Sequence, residues 1–545
     1  MTRAVVLGGG LAGVLTAAVL AGHADEVVLV EGDRYPSGPH PRRGLPQSHH
    51  SHVLVAGGAR ALDALLPGTV DALLANGAHL RGLPGDALIY SADGWFHRLH
   101  TDAHLISCTR GLLDQVVRRR ALGGGDVEVW EDTRALGLTG DAARITGVAV
   151  SRQGAPPETV RADLVVDATG RRSRSPRWLA GIGAGEVEEV SVATGLAYAT
   201  RLYQAPGDLA ATIPAIMLHP GVEKGRPARG ATLFPVEDGR WIVTLTGTRG
   251  GEPPTDEQGF TAFARSLRHP IVADLMAEAT PLGVVRPYRD TVNRRRFFER
   301  TRLPAGFAVV GDAAVAVNPI HSHGMSVAAL GALRLCEELA RHGIGPSLFA
   351  GLQAALAAEA ERSWRMAIEQ DTEQSTAQDT EQDTAQDTAQ DTAQSTAQDT
   401  AQDTAQDTAR AREQDIARAG KRTGERTRDQ AGDRDTARAG EQDTARAGNW
   451  DTERACRDHA PRREPNAFER EIRTRLAQAK LSSPRLAADF FGAQTLICAD
   501  AATDRSEIAR VLTGPPEPLL TAEEAIAQHP ALAAWRRTRF TAATG

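Results

Sequence analysis

Three consecutive glycines, Gly8-Gly9-Gly10, stand between an apolar run at Ala4–Leu7 and a helix-type run at Leu11–Ala21. With Leu11, Ala12 and Gly13 they spell G-x-G-x-x-G, and a second apolar run, Val27–Val30, ends in the acid Glu31. This order predicts a parallel strand–turn–helix–strand unit. Gly8 allows the tight turn, Gly10 lets backbone N–H groups approach a pyrophosphate, and Gly13 lets the helix pack on the strand. The helix N-terminus adds positive potential. Glu31 is placed to bond ribose hydroxyls. Residues 4–22 are also apolar enough to read as a signal peptide or a membrane span. Three glycines weaken a helix at its centre, and the next run continues as a strand, so no membrane span is expected.

Composition narrows the class. The chain has 545 residues, 41% of them hydrophobic, which is enough for two or three structural units. A formal net charge of −7 and the lack of a basic stripe argue against a nucleic-acid partner. Cys108, Cys336, Cys456 and Cys498 form no C-x-x-C pair. They predict a reduced, cytoplasmic protein without a disulfide framework or thiolate zinc site.

Leu164–Val166 reads as another buried strand, entering Asp167-Ala168-Thr169-Gly170. The region from about 190 to 290 carries β-type segments such as Arg240–Thr246, punctuated by Gly and Pro, and reads as an antiparallel sheet. Residues 85–105, with Trp95 and Phe96, read as a hairpin joining it. The expected fold class is α/β: a Rossmann-like dinucleotide-binding domain, an inserted antiparallel β-sheet substrate domain and a helical C-terminal region. The first comprises 1–84, 106–187 and 290–368; the second, 85–105 and 188–289; the last, 456–545. Between them, 369–455 holds a Gln-Asp-Thr-Ala repeat that decays into an Arg-rich version. A period of four drifts about 40° per repeat in a helix, so its alanines hold no single face. Few large apolar side chains are present, and a disordered or loosely helical insertion is expected. Weak contacts with partners are the most it is expected to make.

A second motif decides which dinucleotide binds. Phe307–Val310 runs into Gly311-Asp312, followed by Asn318-Pro319 and Gly324-Met325-Ser326. A strand ending in Gly-Asp can place its carboxylate on a ribityl hydroxyl. The helix beyond Pro319 can aim its N–H groups at the pyrimidine end of a flavin and stabilise negative charge there. Arg42, Arg43 and Arg110 suit a pyrophosphate because a guanidinium pairs bidentately; surface charge is their alternative role. The cofactor read from both motifs is FAD.

The sequence resembles the single-component FAD-dependent monooxygenases of the para-hydroxybenzoate hydroxylase type, and among them most the polyether epoxidases, such as those for lasalocid and monensin. The closer likeness rests on Arg42-Arg43-Gly44-Leu45-Pro46-Gln47 with His50-x-His52, on Arg110-x-x-Leu113, and on Asp167–Arg171. Glu237–Trp241, Thr248–Pro254 and Thr291–Arg295 add to it. The resemblance covers about residues 1–370. It implies reduction by NADPH or NADH without a second nucleotide fold, formation of a C4a-hydroperoxide with O2, and epoxidation of a polyene polyketide. Rivals are hydroxylation of an aromatic polyketide and flavin-dependent alkene reduction. A halogenase is disfavoured because W-x-W-x-I-P is absent. A scaffold that binds through the repeat, with an idle flavin domain, is the remaining alternative.

The site residues expected to bind the cofactor are therefore Gly8, Gly10, Leu11, Ala12, Gly13, Glu31, Arg42, Arg43, Arg110, Asp312, Pro319, Gly324 and Met325. His50, His52, Trp95, Trp241 and His323 are candidates for the flavin or substrate pocket, with core packing the competing role of the tryptophans. No catalytic acid or base stands out. No carboxylate or cysteine framework accompanies the histidines, so no metal is expected. Ser322 replaces the first glycine of the family's Gly-x-Gly-Met element. If that position needs φ > 0, serine costs roughly 1 kcal/mol there.

Overall fold

Five strands with almost no polar side chains must have both faces covered. Arg3–Leu7, Glu26–Val30, Glu128–Trp130, Leu164–Asp167 and Phe307–Val309 form one parallel sheet, in the order 307, 164, 3, 26, 128 by first residue. Its alternate side chains enter two cores. Ala4, Val6, Val27, Leu29, Leu164 and Val166 pack against the helices Leu11–Ala21, Arg110–Leu122 and Gly324–His342. Val5, Leu7, Val28, Val30 and Val165 pack against an antiparallel sheet of Thr133–Gly140, Ile145–Arg152 and Glu158–Arg161. The computed structural model describes residues 1–153, 155–193, 195–207, 209–223, 226–371, 466–497 and 505–543. The repeat from 372 onward, with its expected disorder, lies outside the described residues.

A six-stranded sheet forms the second layer. Its order is Thr280–Tyr288, Ala197–Gln204, Arg240–Gly247, Arg226–Val236, Ala215–Glu223 and Ala87–Tyr90, antiparallel except for the last pair. The stretch 85–105 differs from the expected hairpin. Ala87–Tyr90 joins the sheet, but its return arm pairs only through the isolated bridge Tyr90–Trp95. His104–Ser107 leaves for a small separate sheet with Val53–Val55 and His79–Gly82.

One face of the six-stranded sheet, carrying Trp241, Val243 and Leu245, is covered by Glu257–Arg265, Ile271–Glu278 and the C-terminal Ile526, Leu532 and Trp535. Trp241 is wholly buried there and Trp95 nearly so. Both tryptophans are thus core residues, which corrects their placement in the pocket. Among the described residues no helix is long and apolar enough to cross a membrane. Residues 369–371, the first three of the expected repeat region, are helical, continuous with the helix described from 352.

Candidate functional site

The glycine turn assigns each glycine a separate job. Gly8 has φ +94°, and a Cβ there would lie 2.7 Å from the Ala168 carbonyl oxygen. A Cβ on Gly13 would lie 1.7 Å from the Gly8 oxygen, so helix and turn touch backbone to backbone. Around Gly10 there is nothing within 4 Å, leaving the helix start open to a ligand. Leu11 is buried in the helix-side core and Ala12 packs partly against it.

Glu31, at the end of its strand, accepts hydrogen bonds from the Gly9 N–H at 2.7 Å and the Asp33 N–H at 2.8 Å, and Arg42 Nη1 pairs with it at 3.1 Å. A carboxylate has about four lone-pair positions, so one remains for a ribose hydroxyl. Arg42 Nη2 also donates to the Gly9 carbonyl at 3.0 Å, as does the Tyr35 hydroxyl at 2.9 Å. The guanidinium carbons of Arg42 and Arg118 lie over the Tyr35 ring, 4.9 and 4.5 Å from its centroid. Gly9, Gly10, Leu11, Tyr35, Arg42 and Arg118 line one cavity. Tyr35 and Arg118 are absent from the sequence-derived site. The only signal for Tyr35 was an aromatic residue four positions past the acid. Arg43, by contrast, is exposed and does not line this cavity.

The two motifs meet. A Cβ on Gly311 would come within 2.9 Å of the Ala12 Cβ. Asp312 follows, half-buried; burial pushes its carboxyl up, opposed by Arg171 and Arg110. The helix Gly324–His342 begins beside it: a Cβ on Gly324 would lie 3.6 Å from Asp312 Oδ1. Arg110 is buried and donates to Asp114 at 2.7 Å, so its charge is shared with the protein. Pro319 opens a 3-10 turn capped by Asn318, whose side chain accepts from the Ile320 N–H at 3.3 Å. The Met325 side chain is buried in the core, so only its backbone N–H can face a ligand.

Ser322 does occupy the left-handed region, at φ +56° and ψ +20°. Relief of that strain outweighs the extra chain entropy glycine brings to the unfolded state. Ser322→Gly is therefore expected to stabilise the protein by roughly 0.5 kcal/mol, read as a higher denaturation midpoint. An unchanged or lower midpoint would contradict this account.

Within reach of the Asp312 charge, at Tyr288, stands a wall built from the six-stranded sheet and the segment at 50–51. His50 Nδ1 meets Thr200 Oγ1 at 2.8 Å, Thr200 meets Thr244 at 2.8 Å, and Thr244 meets Ser51 at 2.7 Å. This ring of side chains ties the segment at 50–51 to two neighbouring strands. The Tyr288 ring centroid is 5.1 Å from that of His50, and Tyr198 stacks parallel to Tyr288 at 6.2 Å. Burial pushes His50 down to about 3, and His52 and His323 each to about 4. These imidazoles are neutral near pH 7. Among the described residues no group of three or more His, Cys, Asp or Glu side chains is arranged to hold a metal.

The polar groups present fit FAD. Arg42 Nε, a donor, is buried without a hydrogen-bond partner among the described residues, and so is His323 Nδ1, an acceptor in the neutral ring. With the open backbone at Gly10 and the helix start at Gly324, the cradle combines phosphate-binding and flavin-binding features.

The family described as FAD binding domain matches residues 1–367. The chain belongs to it: it is an FAD-dependent monooxygenase of the para-hydroxybenzoate hydroxylase type, and NAD(P)H is the reductant usual in the family. Protein Rv3254 of Mycobacterium tuberculosis is 29% identical over 380 residues, covering 67% of this chain and 79% of the relative. Kynurenine 3-monooxygenase of Salinispora tropica is 28% identical over 370 residues, covering 65% and 76%. Among solved structures, the flavin-dependent brominase Bmp2 superposes with a TM-score of 0.51 at 18% identity, over 66% of this chain and 84% of its own. PqsL of Pseudomonas aeruginosa gives 0.50 at 19%, over 68% and 94%. These two show a shared fold.

Proposed function

We propose that this monooxygenase epoxidises carbon–carbon double bonds of a polyene polyketide, in the manner of the polyether epoxidases it resembles. Bound FAD, reduced by NAD(P)H, supplies O2 activation. In this reading Gly8–Gly13, Glu31 and Arg42 hold the ADP half of FAD. Asp312, the turn at Pro319 and the helix start at Gly324-Met325 hold the flavin half. The segments 1–84, 106–187 and 290–368 carry the cofactor, and 188–289 shapes the substrate space. The wall of His50, Tyr288 and Tyr198 excludes water and orients one alkene face.

The observation that carries the reading is that the imidazole on that wall is buried, with its Nδ1 held by Thr200 Oγ1. Hydroxylation of a phenol gains from a nearby base whose pKa is close to the working pH. His50, held down at about 3, is a poor base, and burial pushes the Tyr288 hydroxyl up to about 12. Oxygen transfer to an alkene needs neither. A second reading, hydroxylation of an aromatic substrate, is favoured by the name of the kynurenine relative.

The test supplies polyenes and aromatic acceptors, each with NADPH and then NADH, under ¹⁸O2. A labelled epoxide from a polyene is the expected product. Label found only in a phenol would replace the first reading by the second. A reduced alkene without label would overturn both.

A further inference from the structure

The loop that carries the flavin-facing helix start, 318–324, is held from two directions by residues outside the matched family region. On one side stands Asp371, a buried residue of a helical stretch described over 352–371. Its Oδ2 accepts from the side-chain amides of Asn293 and, at 3.3 Å, Asn318, while its Oδ1 accepts from His321 Nε2 at 3.0 Å. Asn318 is tied in further: its N–H donates to Asn293 Oδ1 at 2.6 Å, and its Oδ1 accepts from the Tyr198 hydroxyl.

On the other side ends the helix Pro484–Gln494. The last carbonyls of a helix have no partner within it. Here they are satisfied by three separate elements. Ala493 accepts from Arg362 at 3.1 Å, Gln494 from His323 Nε2 at 2.9 Å, and Thr495 from the Gly57 N–H at 2.8 Å. A carbonyl only accepts, so His323 carries its proton on Nε2.

We propose that His321–Asp371 and His323–Gln494 form a two-sided clasp that positions the flavin loop, making the two segments that bracket the repeat part of the cofactor site. Asp371 and Gln494 lie beyond residue 367, where the family match ends. Asp371 also falls at the first Gln-Asp-Thr of the repeat sequence. The clasp rests on the reading that Asp312 and Gly324 face the flavin.

Two single variants test it in the full-length chain. Asp371→Asn keeps the shape but replaces one of the two accepting oxygens by an N–H donor, so it cannot accept from all three partners. His323→Phe keeps the ring and removes the donor to Gln494. Each is expected to weaken FAD binding about tenfold, the worth of one hydrogen bond to a charged or buried group, and to alter the fine structure of the visible flavin band. Removing residues 384–447 leaves both clasp partners in place and is expected to change neither. Apoprotein melting separates loop positioning from general unfolding.

Asp312→Ala serves as an independent arm. Wild-type FAD affinity and spectrum in both clasp variants overturn the clasp, whatever Asp312→Ala does. A loss of FAD binding no larger than the drop in apoprotein stability also overturns it. Wild-type affinity in Asp312→Ala, with the losses in both clasp variants kept, overturns the contact read for Asp312, and the clasp then acts through the helix start at Gly324. Should Asp371→Asn fail to fold, His323→Phe decides by the same criteria.

Discussion

Gly10→Ala is expected to yield a folded apoprotein that has lost most of its affinity for FAD, whereas Gly13→Ala is expected to damage the fold itself. The two positions share a motif and differ in surroundings. Gly10 has φ −73°, which alanine adopts freely, and its added methyl would meet nothing within 4 Å. The empty space there is where a phosphate would approach the helix start. Losing one or two charge-assisted hydrogen bonds to it weakens FAD binding by roughly tenfold to a hundredfold. At Gly13 the methyl would sit 1.7 Å from a backbone oxygen. Strand and helix must separate, at a cost of about 3 kcal/mol or more. Circular-dichroism melting of the apoproteins and fluorescence titration with FAD separate the two effects. Equal melting temperatures with equal loss of FAD affinity would contradict the assignment of separate jobs.

Arg42→Met is expected to lower the stability of the apoprotein by about 3 kcal/mol, because it strands Glu31 as a buried, unpaired charge. Both residues are more than nine-tenths buried. Glu31 keeps its two backbone donors, which places the loss at the lower end of the range for a broken buried pair. The double variant Glu31→Gln/Arg42→Met should recover much of the loss, since neither charge is then left alone. Urea denaturation of the four proteins gives the coupling directly. Additive losses in the double variant would show that the pair contributes nothing as a pair.

Both dinucleotide motifs were readable because each is a local strand–turn–helix whose glycines act within a few residues of themselves. Their meeting at Ala12 and Gly311 followed from the parallel sheet order. Tyr35 and Arg118 were not readable. They lie 83 positions apart, and only the packed loop joins them. Asp371 was hidden by composition, since it is spelled like its neighbours in the repeat and is distinguished by tertiary partners alone. Gln494 acts through a backbone carbonyl, which no side-chain pattern reports. Of the two tryptophans, Trp241 is set in the core by strand alternation. Trp241 and Thr244 are an odd number of residues apart on one strand, so they face opposite sides of the sheet.

The position of the repeat between Asp371 and the helix ending at Gln494 carries a genetic consequence. Each Gln-Asp-Thr-Ala unit occupies whole codons. Gain or loss of whole units after Asp371 preserves the reading frame and spares the codons for Asp371, His321, His323 and the closing helix. A change in the number of units would therefore alter the chain length at this place and leave those residues unchanged.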